Sequence, residues 1–292
     1  MKQFPTYLLV LLVWLPFIGC EDVVEIDTPT EEPRLVVDAL IRIDTTLSST
    51  NVRVKLTQTA SFFGTIIPAQ VDQITLSNLD NPGGDNQVLL EETPGSGIYS
   101  KPFPTDQLIR DRWLLQIDYE GELFVAESVF IPSVPIDNLE QGTGFLGDEA
   151  ETEMIITYTD DPTRDDFYVI DFDLTNYVTT RDEFNQGQQF TFSFFYDEEE
   201  VAPGDELNIS ILGADERFFD YMRQILDQSE ADGGPFATPA LTVRGNIINA
   251  TEIDNDETTN NVNDTDNFAL GYFILSQAFT ESIVIEDLSG SE

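Results

Sequence analysis

The sequence predicts a mainly β protein, in which an N-terminal immunoglobulin-like β-sandwich is followed by a second β-rich domain carrying one amphipathic helix. Three observations lead to this prediction. Apolar and polar residues alternate over most of the chain, turn-forming residues recur at short intervals, and one segment changes to helical periodicity. The 292 residues are 41% hydrophobic and include 21 Phe, which excludes an intrinsically disordered acidic chain.

The N-terminus has the pattern of an export leader. Lys2 precedes thirteen almost wholly apolar residues, from Thr6 to Ile18. A helix of that length rises about 20 Å, less than the roughly 30 Å hydrocarbon core of a bilayer. Residues 1–19 are therefore predicted to be a signal peptide that is removed on export.

Residues 17–20 (FIGC) resemble a bacterial lipobox, in which a small residue precedes a cysteine that becomes the lipidated first residue. Cys20 is the only cysteine of the chain and falls at the cleavage position. Phe17 departs from the usual Leu, and an ordinary secretory signal with a chance cysteine is the alternative. Because a single acyl chain binds a membrane only marginally, the diacylglyceryl thioether and N-acyl group (palmitate-type chains) of such lipoproteins imply a stable membrane anchor.

Residues 20–33 are predicted to be an acidic tether. Glu21 and Asp22 resemble the export signals that send Bacteroidetes lipoproteins to the outer face of the outer membrane. In a chain with 55 acidic residues, two neighbouring acids also have a purely compositional explanation. The expected location is the outer membrane, lipid-anchored and facing the cell exterior, with the periplasmic side as the alternative.

Residues 34–133 are predicted to form the β-sandwich domain. The first strand is expected at residues 34–43, and the second at 51–57, where apolar residues alternate with Arg53 and Lys55. Residues 112–119 and 123–131 are expected to pair as a hairpin across the turn at residues 119–122. Pro132 and Pro135 favour an extended linker at the end of this domain.

Residues 134–292 are predicted to form the second β-rich domain. Its strands are expected at residues 153–159, 167–174, 190–196, 207–212, 268–277 and 282–286. Residues 215–228 differ, because Phe218, Tyr221, Met222 and Ile225 follow the i, i+3, i+4, i+7 spacing of an amphipathic helix. That apolar stripe is expected to pack against the second sheet.

Composition excludes several classes of function. The chain has no His, which excludes Ser-His-Asp triads and HExxH zinc sites, and its single Cys excludes an intrachain disulfide. With 13 Lys+Arg against 55 Asp+Glu, the net charge of −42 argues against nucleic acid as a partner. The favoured explanation of the charge is halophilic adaptation, because about 1 M salt shortens the Debye length to about 3 Å.

Six short sequence segments, taken together and in this order along the chain, indicate a family resemblance. They are residues 20–27 (CEDVVEID), 33–38 (PRLVVD), 215–226 (DERFFDYMRQIL), 235–239 (PFATP), 243–247 (VRGNI) and 270–273 (LGYF). Together they resemble a Bacteroidetes outer-membrane lipoprotein family of unknown function, domain-of-unknown-function family 4249. The long acidic insert at residues 249–267 departs from that pattern.

The resemblance implies a partner of a TonB-dependent outer-membrane transporter, acting in nutrient capture or transporter assembly. It provides no catalytic residues, and the chain is expected to be neither an enzyme nor a cofactor-binding protein. Its small-molecule or polymer ligand is not indicated by the sequence. Gly245 and Gly271 have a structural explanation, because glycine permits bends or close backbone approach next to strands.

Two further clusters have weaker functional interpretations. Oxygen ligands for a cation are offered by Asp254, Asp256, Asp264 and Asp266. Thr259 and Thr265 stand where an EF-hand has Gly and Glu, so a solvated loop is favoured over a metal site. A partner-docking loop is predicted at residues 62–67 (FFGTII), through Phe62, Phe63, Ile66 and Ile67.

Two alternative functions remain open on the sequence. A surface glycan hydrolase needs only two suitably spaced carboxylates, so the absence of His does not exclude it. A cation-dependent envelope or adhesion module would use residues 254–266. The favoured interpretation is a non-catalytic outer-membrane lipoprotein that serves as an accessory or substrate-capture subunit.

Overall fold

The computed structural model describes residues 33–60, 64–81, 86–146, 151–181, 186–197, 199–229, 242–251 and 268–288. Within these ranges the chain is mainly β, as predicted. Its strands are β1 (Leu35–Ile43), β2 (Ser49–Gln58), β3 (Ile67–Pro68), β4 (Gln73–Asn78), β5 (Gln87–Val88), β6 (Leu90–Glu91), β7 (Ile98–Pro104), β8 (Trp113–Tyr119), β9 (Glu122–Ser128), β10 (Phe130–Ile131), β11 (Ile136–Gln141), β12 (Thr152–Thr159), β13 (Phe167–Asp171), β14 (Tyr177–Arg181), β15 (Gln189–Tyr196), β16 (Glu206–Ala214), β17 (Ile248–Asn249) and β18 (Leu270–Val284). Its helices are α1 (Thr105–Leu108) and α2 (Glu216–Ser229).

The described strands form three sheets. The main sheet has the order β14-β13-β16-β18-β1-β2-β7-β6, with β10 beside β18 and β3 beside β2. A five-stranded sheet has the order β17-β9-β8-β4-β5, and a three-stranded sheet has the order β11-β12-β15. Strand alternation explains the pairing, because β1 and β2 each place every second side chain in a buried position.

Strand β18 connects the two halves of the main sheet. Its first part runs parallel to β1, from Leu270 opposite Val36 to Gln277 opposite Ile43. Its second part pairs antiparallel with β16. The prediction of two separate strands in this region is wrong, since one strand continues through Ala278. The polar, exposed side chains in its second part hide that continuity in the sequence.

Two apolar cores lie side by side on one face of the main sheet, which we call the inner face. The first core packs this face against the five-stranded sheet, and the second packs it against the three-stranded sheet. Residues 35–126 supply most of the first core, together with Ile247, Ala269, Phe273 and Leu275 from the far end of the chain. A division of the chain near residue 133 stays a prediction, with the C-terminal strand contributing to both cores.

The opposite face of the main sheet, the outer face, is covered in part by α2. Phe218 and Phe219 of the helix are buried against Val169, Leu212, Tyr272 and Ile274. Asp215 caps the helix, because its side-chain Oδ1 accepts a hydrogen bond of 2.8 Å from the Phe218 amide. The predicted amphipathic helix and its apolar stripe are therefore confirmed, and the helix packs over β13, β14 and β16.

The hairpin between β8 and β9 is also confirmed. Glu120 has a φ of 52° and Gly121 a φ of 82°, the left-handed pair required by a two-residue type I′ turn. The strands pair from Trp113 opposite Ser128 to Tyr119 opposite Glu122.

The acidic excess predicts that thermal stability rises strongly between low and molar salt. Self-repulsion of a chain with net charge −42 opposes the compact state, and screening removes most of that repulsion. Melting temperatures measured in NaCl and in choline chloride check this, since screening requires both salts to stabilise. A melting temperature that does not respond to either salt would contradict the halophilic interpretation.

Candidate functional site

The candidate site is a recess beside α2, on the part of the outer face that this helix does not cover. It encloses about 340 Å³. This is within the size range of sites that hold small organic molecules. Its charged and polar side chains come from β1 and β2: Asp38, Arg42, Asn51, Arg53 and Lys55. Leu40 of β1 and Tyr177 of β14 provide apolar wall surface and also contact the apolar cluster under α2.

Strand geometry explains why these side chains meet. Asp38, Leu40 and Arg42 alternate along β1 with Val37, Ala39 and Ile41, which lie in the first core. The same alternation on β2 places Asn51, Arg53 and Lys55 outward. Because β1 and β2 are antiparallel neighbours, with Asp38 opposite Lys55, the two outward rows lie side by side.

The three cations of the recess differ in how they are held. Arg42 donates to Oδ2 of Asp171, a carboxylate that is almost fully buried. Arg53 contacts Glu92 at 3.2 Å, and both of those side chains are well exposed. Within the part of the chain that the structure describes, the Lys55 ammonium has no ion-pair partner.

Two partly buried tyrosines lie close to the charged groups of the recess. Burial raises the pKa of Tyr177, the Asp171 carboxylate adds to that rise, and Arg42 opposes it. Burial also raises the pKa of Tyr221 on α2 to about 12, with a further contribution from the Asp38 carboxylate. Asp38 therefore lies where the helix borders the recess, within electrostatic reach of both hydroxyl groups.

The turn between β13 and β14 adjoins the recess and is strained. Asp173, Leu174 and Thr175 have φ values of 65°, 50° and 71°. Left-handed backbone costs a residue with a Cβ roughly 1–2 kcal/mol. Asp171 precedes this turn and Tyr177 follows it, so the turn fixes the partner of Arg42 and one wall of the recess. Strain of this kind accumulates at ligand sites when surrounding contacts enforce it.

Those enforcing contacts are on both sides of the turn. The Asp173 amide donates to Asp171 Oδ1 at 2.8 Å, and Asp173 Oδ2 accepts from the Asn208 amide at 2.9 Å. The buried Tyr196 hydroxyl donates to the carbonyl oxygen of Phe172. Asp171 thus bonds the strained turn through one oxygen and the recess guanidinium through the other.

Most of the sequence-predicted site residues lie outside the described ranges. These are Cys20, Phe62, Phe63, Asp254, Asp256, Asp264 and Asp266. Of the predicted docking loop, Ile66 is 67% and Ile67 is 51% exposed. Ile67 belongs to the short strand β3 and pairs with Gln58, so this end of the segment is a strand edge rather than a loop.

A second polar cluster closes the loop between β12 and β13. The Tyr168 hydroxyl lies 2.6 Å from Asp160 Oδ1 and 2.9 Å from Asp166 Oδ2. Asp160 also accepts from the Gly187 amide, and Asp166 from Arg164. The two carboxylates are only 2% and 9% exposed. Their oxygens are thus bonded within the chain, an arrangement suited to holding the loop closed.

Asp166 is predicted to give stability a pH dependence. Burial raises its pKa above the ordinary value of 3.8, the Asp160 carboxylate adds to the rise, and the Tyr168 hydroxyl and Arg164 oppose it. The folded chain therefore binds this proton more tightly than the unfolded chain. Its stabilising contribution is present at low pH and is lost as pH rises through the raised pKa.

The Asp166→Asn variant should therefore lose less stability than the wild type between about pH 4 and pH 7. Denaturant unfolding at several pH values measures this. Asp165→Asn is the matched control, because Asp165 is an exposed neighbour whose change should leave the pH profile intact. Parallel wild-type and Asp166→Asn profiles would contradict the assignment.

Three of the family-like phrases converge on one junction at the start of β18. The ring of Phe268 lies between the guanidinium groups of Arg34 and Arg244, at 4.1 and 3.6 Å. A Cβ on Gly245 would overlap the carbonyl oxygen of Gly271, and a Cβ on Gly271 would overlap that of Val37. The close-approach explanation of both glycines is confirmed.

Asn246 completes this junction by acting as a substitute for a strand. Its Nδ2 donates to the Phe273 carbonyl at 2.8 Å, and its Oδ1 accepts from the Phe273 amide at 2.8 Å. Two residues further along, the Leu275 amide donates to the Ser128 hydroxyl at 3.0 Å. These side chains form hydrogen bonds with the backbone groups on one edge of β18, next to the position where β10 pairs with that edge. These three phrases therefore have a structural role, because Asn246 forms hydrogen bonds with the backbone of β18.

The described residues contain neither a metal-binding cluster nor a membrane-spanning helix. In those ranges, no three His, Cys, Asp or Glu side chains come together so that they would hold a metal ion. Neither described helix is long and apolar enough to cross a membrane.

Comparison with known proteins gives a family match and a distant likeness to solved structures. A DUF4785 family protein from Legionella pneumophila shares 12% identity over 56% of this chain and 49% of its own, with a TM-score of 0.22. The chain thus spans about half the length of that protein. Comparison with curated proteins gave no match.

The family model described as "Domain of unknown function (DUF4249)" matches residues 21–282. That match spans every described strand except the last residues of β18, and it includes the recess, the helix and the glycine junction. The chain therefore belongs to the DUF4249 family.

Proposed function

We propose that the chain is a non-catalytic outer-membrane lipoprotein, anchored through Cys20, that captures a ligand as an accessory subunit of a TonB-dependent transporter. The lipobox-like residues 17–20 and the family resemblance support the location and the partner. The recess on β1 and β2 is the surface that we assign to ligand capture.

The observation that carries this proposal is the construction of the recess. Its polar side chains stand on paired strands, which hold them more firmly than loops would. The strained β13–β14 turn fixes one wall and one ion pair. Among the described residues, the lining of the recess includes the carboxylate of Asp38 beside three cations, an arrangement suited to binding a polar ligand.

The hydrolase alternative would use a pair of carboxylates in an open cleft. Asp160 and Asp166 are the buried pair that comes nearest to this, since the pKa of Asp166 is raised by burial. Their oxygens bond Tyr168, Arg164 and the Gly187 amide, so a substrate would have to displace these contacts. The cation-dependent alternative depends on residues 254–266, which lie outside the described ranges. The geometry of the recess favours the capture role over both.

Co-purification from native membranes tests the proposal. The full-length chain, extracted with mild detergent, is expected to retain a TonB-dependent transporter. A Cys20→Ser variant, expressed at the same level, is the control that should lose both membrane attachment and the transporter. Recovery of the lipidated wild type as a monomer without a transporter would contradict the accessory role, and surface-protease treatment of intact cells would show which face it occupies.

A further inference from the structure

We propose that the recess binds small carboxylates that also carry hydroxyl or ammonium groups, a ligand class that neither the family nor the sequence indicates. This inference rests on the proposed capture function and adds the chemistry of the ligand. Its basis is the placement of Arg42, Arg53, Lys55 and Asp38 around one recess of about 340 Å³.

Lys55 is the first reason to expect an anionic group. The whole chain has 13 Lys+Arg against 55 Asp+Glu and a net charge of −42, so basic side chains are scarce and acidic side chains greatly outnumber them. Three of them nevertheless line this one recess. Among the described residues the Lys55 ammonium forms no ion pair, which leaves its three N–H donors available to a ligand.

Arg42 and Arg53 extend the same donor surface. Arg42 is held by the buried Asp171 while its side chain is still 39% exposed, so its orientation is fixed before a ligand arrives. Arg53 reaches Glu92 only through Nε, at 3.2 and 3.4 Å to the two carboxylate oxygens. The terminal nitrogens of that guanidinium have the planar geometry that matches a carboxylate.

Asp38 defines a second contact of the ligand. It lies on β1 directly opposite Lys55 of β2 and is close enough to Tyr177 and Tyr221 to influence both hydroxyl groups. A carboxylate accepts hydrogen bonds only, so it selects a group that donates, such as a hydroxyl or an ammonium. The ligand therefore has a carboxylate facing Lys55 and Arg53 and donors facing Asp38. Acidic sugars and amino acids both satisfy this description.

Titration calorimetry with three probes tests the inference and distinguishes acidic sugars from amino acids as the ligand. The probes are glucuronate, glutamate and glucose, all at one ionic strength because salt alone stabilises so acidic a chain. Glucuronate or glutamate is expected to bind, and glucose is expected to bind at least about tenfold more weakly, because it lacks the charge that the donors meet. Binding of glucuronate but not glutamate assigns an acidic sugar, and the reverse assigns an amino acid.

Three variants test the residues. Lys55→Gln and Arg53→Gln should each weaken binding of the carboxylate probe about tenfold. Arg110→Gln, which removes an exposed cation just beyond the end of α1, should leave affinity unchanged. Lys55 and Arg53 are exposed, so unchanged melting temperatures will confirm that these variants fold. Asp38→Asn should weaken binding as well, since it removes the acceptor of the donor groups.

Two results would overturn the inference. Glucose binding as tightly as glucuronate, with no effect of Lys55→Gln, would show a capture site for neutral ligands and leave the proposed function standing. Failure of all three probes to bind would overturn the carboxylate chemistry outright, while the transporter co-purification would still decide the proposed function independently.

Discussion

Replacing Gly271 with Ala is expected to lower the free energy of unfolding by at least about 3 kcal/mol, because overpacking and a disallowed φ act together. Gly271 has a φ of 99° at the start of β18, and a Cβ there would overlap the carbonyl oxygen of Val37. The atoms that the Cβ would meet belong to the backbone of Val37, which cannot move aside without breaking the parallel pairing of β1 with β18. Equilibrium denaturant unfolding measures the loss.

Gly95→Ala is the matched control for this prediction. Gly95 has a φ of 85°, and a Cβ there would meet nothing within 4 Å. Gly95→Ala therefore measures only the free-energy cost of a positive φ at a residue with a Cβ, which is about 1–2 kcal/mol. Equal losses for the two variants would show that the glycine junction is not closely packed.

Replacing Asn246 with Ala is expected to cost about 2–6 kcal/mol, since it leaves two buried groups unpaired and each costs about 1–3 kcal/mol. The change would leave both the amide and the carbonyl of Phe273 without their present partners, and Phe273 is fully buried. Hydrogen exchange should report the same event locally, as faster exchange of the Phe273 amide. The expected loss is large because Asn246 substitutes for a whole strand at this point.

The control for Asn246 is Asn51→Ala, an exposed asparagine on β2. It should change stability by less than about 0.5 kcal/mol, the usual range for surface positions. If Asn246→Ala proved as mild as Asn51→Ala, water would be replacing the lost partners and the edge of β18 would be more open than described.

Local patterns in the sequence were sufficient to predict several elements. Alternation predicts β1, β2 and β8, the turn at Glu120 and Gly121 predicts the β8–β9 hairpin, and helical spacing predicts α2. The sequence pattern does not predict strand β7, because two prolines interrupt its alternation of apolar and polar residues. The pairing of β1 with β18 could not be predicted, since parallel partners at opposite ends of the chain share no turn and leave no local signal.

The candidate site was harder to predict because it is assembled from separate strands. The sequence indicates Arg53 and Lys55 only as the polar half of an alternating strand, and its pattern does not predict the strand that contains Tyr177. A usable signal was the scarcity of cations. In a chain with 13 Lys+Arg, outward-facing basic residues on two consecutive strands indicate a local purpose. The strained turn had no such signal, since Leu174 and Thr175 rarely adopt left-handed backbone, and Asp173 alone is of a type that does so more often.

Attachment at Cys20 is the central claim, because the proposed location, partner and capture role all depend on it. Mass spectrometry of the N-terminal peptide, taken from protein in its native membrane, tests this most directly. The account predicts a peptide that begins at Cys20 and has the added mass of a diacylglyceryl thioether and an N-acyl chain. A peptide that begins elsewhere, or an unmodified Cys20, would contradict the anchored capture role.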